Sequence, residues 1–204
     1  MSKMVEFVES AGEMTLLIDG GQAMQGWEAD LMRRSADILC CHGSEFLEAG
    51  LGLGFSALHI ASQPTTRRHT VIELHQQVID HFQARNPVLP APLQIVKGDF
   101  FAMLQTLPPA SVDGIFFDLY LPGTTRNDPT FWNMVVPPMI ALLRPGGVFV
   151  PCFTTQPYFL FLHYFDHAII ERRPYTAYPQ TNYTAATSGH AFIQCYFTAK
   201  PAAG

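Results

Sequence analysis

Four segments carry residue types able to do chemistry. In FLEAGLGLGFSALHIA, Phe46 to Ala61, an apolar run ends at Glu48, and Gly50, Gly52 and Gly54 follow at alternate positions. Glycines let a chain turn sharply and bring a ligand against the main chain, and a helix starting at Phe55 offers free N–H groups in its first turn. Gly52, Gly54 and Ala57 also fit the dinucleotide pattern G-x-G-x-x-A, so this stretch alone does not separate nucleoside cofactors. Glu73 stands 21 residues after Gly52, near the end of a second apolar run, where an acid accepts hydrogen bonds from the hydroxyls of a bound ribose. Glu48 points away from a dinucleotide: directly before the glycine turn it repels a pyrophosphate and suits a cationic or amino-bearing ligand. Asp118 closes the run GIFFD. Upstream, Met24, Glu28 and Met32 recur at every fourth position, which on a helix sets a carboxylate between two thioethers.

These residues need a scaffold that gathers them. Apolar runs at Glu45–Glu48, His69–Leu74, Leu93–Val96, Val112–Asp118 and Gly147–Cys152 alternate with amphipathic stretches at Phe55–Ala61, Gln76–Ala84, Phe101–Leu107 and Phe131–Leu143. Strands spaced by helices predict parallel crossovers and an α/β fold, a Rossmann-like doubly wound sheet. In such sheets ligands bind outside the carboxyl ends of the strands, which sends Gly50, Glu73 and Asp118 to one edge. After Cys152 the pattern changes: His167–Arg173 and Ala191–Ala199 read as two strands joined by the turn-rich Pro174–His190, an antiparallel ending to a mostly parallel sheet. Ahead of the first strand the periodicity predicts a helix from about Ala23 to Cys41, with Trp27, Leu31 and Ile38 as its core stripe. The chain is therefore read as one domain over 1–204: an N-terminal helical lid segment at 1–42, a cofactor-binding core at 43–152 and a substrate-side segment at 153–204.

Composition excludes several classes. Of 204 residues 48% are hydrophobic and 14% charged, which is no disordered chain, and the formal charge of −5 provides no basic footprint for nucleic acid. Cys40, Cys41, Cys152 and Cys195 form no C-x-x-C pair or zinc spacing and read as buried thiols in a reducing compartment. The eight histidines show no metal-ligand spacing, so no metal is expected. The first residues lack a basic region followed by an apolar stretch, and Tyr158–Ile170 is too short and too polar to span a bilayer. The expectation is a cytoplasmic protein that binds neither nucleic acid nor membrane; the apolar surplus is compatible with a homodimer.

The glycine loop with Glu48, the acid Glu73, the GDF step at Gly98–Phe100, Asp118 and LLRPGG at Leu142–Gly147 together resemble the ordered motifs of class I S-adenosylmethionine-dependent methyltransferases. AMQGWEADLM, TVIELHQ, FFDLYL, LLRPGGVFVPCFTT and AFIQCYFTAK resemble, more closely, guanidinoacetate N-methyltransferase and the related arginine N-methyltransferase. The resemblance implies the class I methyltransferase fold, S-adenosyl-L-methionine as cofactor, S-adenosyl-L-homocysteine as product, and a small guanidino or amine substrate. It makes Met24 and Met32 cofactor contacts, with Leu51, Gly52, Leu53, Gly54, Phe55 and Ser56 as the loop under the methionine moiety. It sets Leu74 and His75 beside the ribose acid Glu73, and Asp99 and Phe100 at the adenine. Glu28 and Asp118 become the catalytic pair gripping a guanidino group, and Thr154 and Thr155 fall where the family holds the substrate's carboxylate. Departures lie on the substrate side: no tryptophan precedes Trp27, and Leu119, Tyr120 and Leu121 replace the family's threonine-tyrosine-proline. Tyr120, Trp132, Phe153 and Tyr183 are candidates to line that pocket.

The chemistry of the group agrees with the pair. A guanidinium is a planar fork of donors that matches carboxylates bidentately, and its delocalised nitrogens are poor nucleophiles. Hydrogen bonds to two carboxylates concentrate electron density on one nitrogen, and one of them takes the departing proton. The predicted function is methyl transfer to a guanidino nitrogen. Alternatives are transfer to another small amine or heterocycle nitrogen, a cofactor-binding module without catalysis, and an aminopropyl transferase like spermidine synthase.

Overall fold

The computed structural model describes residues 4–10 and 12–199. The chain opens with strands rather than a helix: β1 (Val5–Ser10), β2 (Glu13–Ile18) and β3 (Gly21–Gln25) form a three-stranded antiparallel sheet. A single 3-10 turn, Gly26–Glu28, leads into α1 (Ala29–Cys40). The expected helix from Ala23 is thus corrected, and with it the helical character given to residues 1–42. The physical reason is local. Asp19 and Gly20 both adopt left-handed backbone (φ 51° and 77°) and leave Ile18 paired with Gly21, the two-residue Asp-Gly hairpin that matches strand twist.

From there the expected alternation holds. β4 (Glu45–Ala49), α2 (Phe55–Ala61), β5 (Arg68–Glu73), α3 (Gln76–Arg85), β6 (Leu93–Lys97), α4 (Phe100–Met103) and β7 (Val112–Phe117) follow in turn. Then come α5 (Gly123–Arg126), α6 (Pro129–Leu142), β8 (Leu143–Pro151), β9 (His167–Thr176) and β10 (Ser188–Phe197). The seven-stranded sheet has the order β6-β5-β4-β7-β8-β10-β9; β4 to β8 pair in parallel, and β10 is antiparallel to both β8 and β9. This is the mostly parallel doubly wound sheet with an antiparallel ending that the sequence pattern predicts.

Alternation along the strands divides the core into two layers. Phe46 and Phe116 face α1, α2 and α3, together with Leu16, Ile18 and Met24 from the N-terminal sheet. Their neighbours Leu47, Ile115 and Phe117 face α4 and α6. The N-terminal sheet therefore packs into the same buried cluster as the helices on one face. The order reverses between β4 and β7, so the carboxyl ends of these strands flank the crevice where doubly wound sheets bind ligands. All four cysteines are free thiols. Among the described residues, no helix is long and apolar enough to cross a membrane, and no cluster of three or more His, Cys, Asp or Glu is arranged to hold a metal.

Candidate active site

Two cavities open at the carboxyl edge of β4, β5 and β7. The first, about 230 Å³, is bounded by Met24, Gly50, Gly52, Glu73, Asp99 and Phe100, among others. The second, about 420 Å³, is bounded by Glu28, Arg126, Trp132, Cys152, Thr154 and Tyr183, among others. Asp118 and Tyr120 line both, so Asp118 stands on the wall between them.

The glycine turn is the floor of the first cavity. Gly50 (φ 87°) passes so close to the end of β7 that a Cβ there would lie 2.3 Å from the Asp118 carbonyl oxygen. Gly52 (φ 52°) lies against Met24, whose Sδ accepts a hydrogen bond from Leu53 N–H at 3.2 Å. Glu73 is 5% exposed, and the turn fixes its carboxylate: Leu51 N–H donates to Oε2 at 2.8 Å and His75 N–H to Oε1 at 2.7 Å. A carboxylate has about four lone-pair sites, so two remain for a ligand's hydroxyls. Glu73→Ala is expected to weaken cofactor binding tenfold or more, read by titration calorimetry, since it removes charge-assisted bonds worth about 1.5–3 kcal/mol. Unchanged affinity would remove Glu73 from the nucleoside site. Leu74 and His75 line the same cavity, and Asp99 caps α4 by accepting from Phe101 N–H at 2.9 Å while it lines the wall beside Phe100.

Several expected cofactor contacts lie elsewhere. Glu48 does not line either cavity. It shares the face of Phe46, completely buried beneath α2, where Ser56 Oγ donates to it and His69 Nε2 stands 2.9 Å from Oε2 without an aligned hydrogen bond. A strand alternates faces with period two, so Glu48 points sideways into the sheet's flank rather than off its end. Ser56 follows it into that pair, Leu51 is buried in the core, and Leu53, Gly54 and Phe55 do not line the cavities. Met32 is fully buried in the core of α1. Met24 reaches the cavity from β3 rather than from a helix, so the shared face of Met24, Glu28 and Met32 does not exist.

Glu28, on the 3-10 turn, and Asp118, just beyond β7, are brought together in the second cavity. Glu28 is 4% exposed; its Oε1 accepts from Gln25 N–H at 2.6 Å and from the Tyr183 hydroxyl at 2.5 Å, leaving Oε2 for a ligand. Burial raises its pKa to about 8 against those two hydrogen bonds, and the charge of Asp118 pushes the same way. Burial likewise raises Asp118 to about 6; a hydrogen bond from Cys152 opposes this, the charges of Glu48 and Glu73 add to it, and Arg126 partly offsets it. Each raised carboxyl is stabilised by a cation placed beside it.

Thr154 and Thr155 line this cavity too; Thr154 bridges by backbone to Phe192, and its hydroxyl donates to the Gln156 carbonyl. Trp132, Phe153 and Tyr183 also belong to its lining. Tyr183 stacks on Trp27 with ring centroids 6.0 Å apart, and its loop is tied to β3 by Gln25–Thr181 and Gln22–Asn182 hydrogen bonds. Cys152, read from sequence as a buried thiol, is the group beside Asp118: its N–H bonds the Phe117 carbonyl at 2.8 Å, continuing the ladder past β8. Its place at the end of the fifth apolar run was the available signal. Arg126 and Tyr158 had none.

The sheet order, the glycine turn under one cavity and the acid at the strand end are those of the class I methyltransferase fold. Among solved structures, spermidine synthase from Thermotoga maritima matches with 13% identity over 98% of this chain and 70% of that one, TM-score 0.72. The O-methyltransferase TomG from Streptomyces achromogenes, solved in complex with SAM, matches with 17% identity over 83% and 80%, TM-score 0.57. A precorrin-6y C5,15-methyltransferase from Geobacter metallireducens matches with 12% identity over 82% and 87%, TM-score 0.59. These likenesses are of fold. The family model described as guanidinoacetate N-methyltransferase matches residues 4–171, and the chain belongs to that family.

Proposed function

We propose that the protein is an S-adenosylmethionine-dependent N-methyltransferase acting on a guanidino nitrogen of a small molecule. The observation that carries this reading is the pair Glu28 and Asp118 in one cavity, with Asp118 shared by the glycine-floored cavity next to it. The first cavity fits the cofactor: Glu73 is held with lone pairs free, and Gly52 lets the ligand approach the main chain beside Met24. When bound, the cofactor supplies an electrophilic methyl on a sulfonium with a neutral thioether as leaving group.

The chain's own groups do the rest. Glu28 Oε2 and Asp118 accept from the guanidinium fork, fixing its plane and its distance from the neighbouring cavity. With both carboxylates ionised, their two negative charges face the two positive ones of the guanidinium and the sulfonium. When the guanidino nitrogen accepts that methyl, the proton it gives up would pass to Asp118. Asp118 suits this role because it stands on the shared wall and ionises at lower pH than Glu28. A neutral hydroxyl nucleophile has no use for two carboxylates, which favours a cationic fork over O-methylation.

Aminopropyl transfer is a second reading, favoured by the spermidine synthase likeness that extends through the N-terminal sheet. One assay separates the two. The enzyme is incubated with methyl-labelled S-adenosylmethionine or with its decarboxylated form, and with arginine, guanidinoacetate, homoarginine, agmatine, canavanine and simple amines. A labelled methyl on a guanidino compound and not on its amine counterpart supports the proposal. Transfer only from the decarboxylated form, or only to amines, overturns it.

A further inference from the structure

The second cavity continues past the two acids to α5 and α6. Among its lining residues Arg126 is the one basic side chain. Its main chain is pinned from the cavity walls: the Arg126 carbonyl accepts from Trp132 Nε1 at 2.7 Å and from the Tyr158 hydroxyl at 2.9 Å. Its guanidinium has no carboxylate within ion-pair distance among the described residues, whereas Arg34 and Arg144 are each paired at 2.7 Å. Arg126 is solvent-exposed and so stands at the mouth, while Glu28 is buried in depth. The walls between them are largely aromatic: Trp132, Phe153, Tyr158 and Phe161. A cavity with carboxylates deep inside, apolar walls and a cation at its rim is dipolar. It suits a ligand with a cationic head, a short carbon linker and an anionic tail.

We infer that Arg126 is a specificity-determining residue that pairs with the anionic end of a zwitterionic guanidino acid and discriminates against guanidino amines. This rests on the guanidino reading above. Thr154 and Thr155 line the same cavity and offer neutral hydrogen bonds to that end, but neutral donors accept a carboxamide nearly as well as a carboxylate. Arg126 supplies the charge that separates the two. A guanidino amine would place a second cation against it, which like-charge repulsion disfavours. If instead Arg126 served only to offset the charge of Asp118, its removal would affect acids and amides alike.

The test uses matched guanidino acid and carboxamide pairs of increasing length, from guanidinoacetate to γ-guanidinobutyrate, with agmatine as the amine. Methyl transfer is measured as kcat and KM for wild type, Arg126→Gln and Arg126→Lys. Wild type is expected to prefer acid over amide over amine. Arg126→Gln should lower the acid-to-amide ratio of kcat/KM by about tenfold or more through KM, the range of one charge-assisted pair, and Arg126→Lys should restore part of it. An unchanged ratio in Arg126→Gln, with guanidino methylation intact in wild type, overturns the inference and leaves the guanidino reading standing. Methylation of none of these compounds by wild type, in samples shown to bind S-adenosylmethionine, overturns both.

Discussion

Asp118→Asn is expected to bind S-adenosylmethionine within a few-fold of wild type and to lose a hundredfold or more in kcat. Asparagine keeps the shape of the side chain at the wall between the cavities, so the glycine turn and Glu73, which carry the cofactor reading, are undisturbed. What it removes, on the proposed function, is the proton acceptor and one of the two charges opposing guanidinium and sulfonium. A positioned base contributes about 10²–10⁴ in rate, and here charge neutralisation is lost with it. The pH profile adds a second reading. In wild type, kcat/KM reports the free enzyme and should fall on the acid side through two ionisations, near 8 for Glu28 and near 6 for Asp118. The coupled pair sets these limbs jointly. In Asp118→Asn the limb near 6 disappears, and the Glu28 limb moves down, because the Asp118 charge helps hold Glu28 up. Wild-type kcat in the variant would remove Asp118 from the chemistry; a Glu28 limb that stays put would show that the two do not interact.

How much of this was legible in the sequence depended on where the determining contact lay. The parallel sheet and its crossovers were readable because alternating runs and amphipathic stretches are local signals, and the convergence of Gly50, Glu73 and Asp118 follows from topology alone. The N-terminal sheet also has a local signal, Asp19-Gly20 between apolar runs, whereas the four-residue spacing of Met24, Glu28 and Met32 suggests a helical face that Met24, on β3, does not join. Glu28 nevertheless lines the second cavity, held there by Gln25 and Tyr183 rather than by a helix face. Glu48 illustrates the converse. Its position beside the glycine turn suggested a ligand contact, yet strand alternation directs it to His69 and Ser56. Which way a strand-end side chain points depends on its parity along the strand, and the register that settles it comes from partners 20 or more residues away. Arg126 and Tyr158 reach the cavity only through tertiary packing and carry no pattern of their own.

Glu28→Gln is expected to abolish turnover by two orders of magnitude or more and, at the same time, to stabilise the ligand-free protein in a pH-dependent way. Both effects have one origin. Burial raises the Glu28 pKa from 4.5 to about 8, so the folded protein holds this proton where the unfolded chain has released it. The favourable contribution of the neutral acid is therefore complete below about pH 4.5 and is lost as pH rises toward and through 8. Above that, wild type carries a buried charge facing Asp118 that costs at most about 5 kcal/mol, the free-energy equivalent of the full shift. Glutamine carries no such charge. Its Oε1 can still accept from Gln25 N–H and Tyr183, and its amide can donate toward Asp118. The difference in Tm between variant and wild type should be small near pH 5, widen to pH 8 and then level off. A saturating guanidino substrate should narrow the gap at high pH, because its cation compensates the carboxylates of wild type. Denaturation scans across this pH range, with and without substrate, decide the matter. A gap independent of pH would mean that Glu28 is not held neutral by burial. A gap that behaves as described, in a variant still turning over at the wild-type rate, would leave the buried acid without its assigned work as half of the guanidinium clamp.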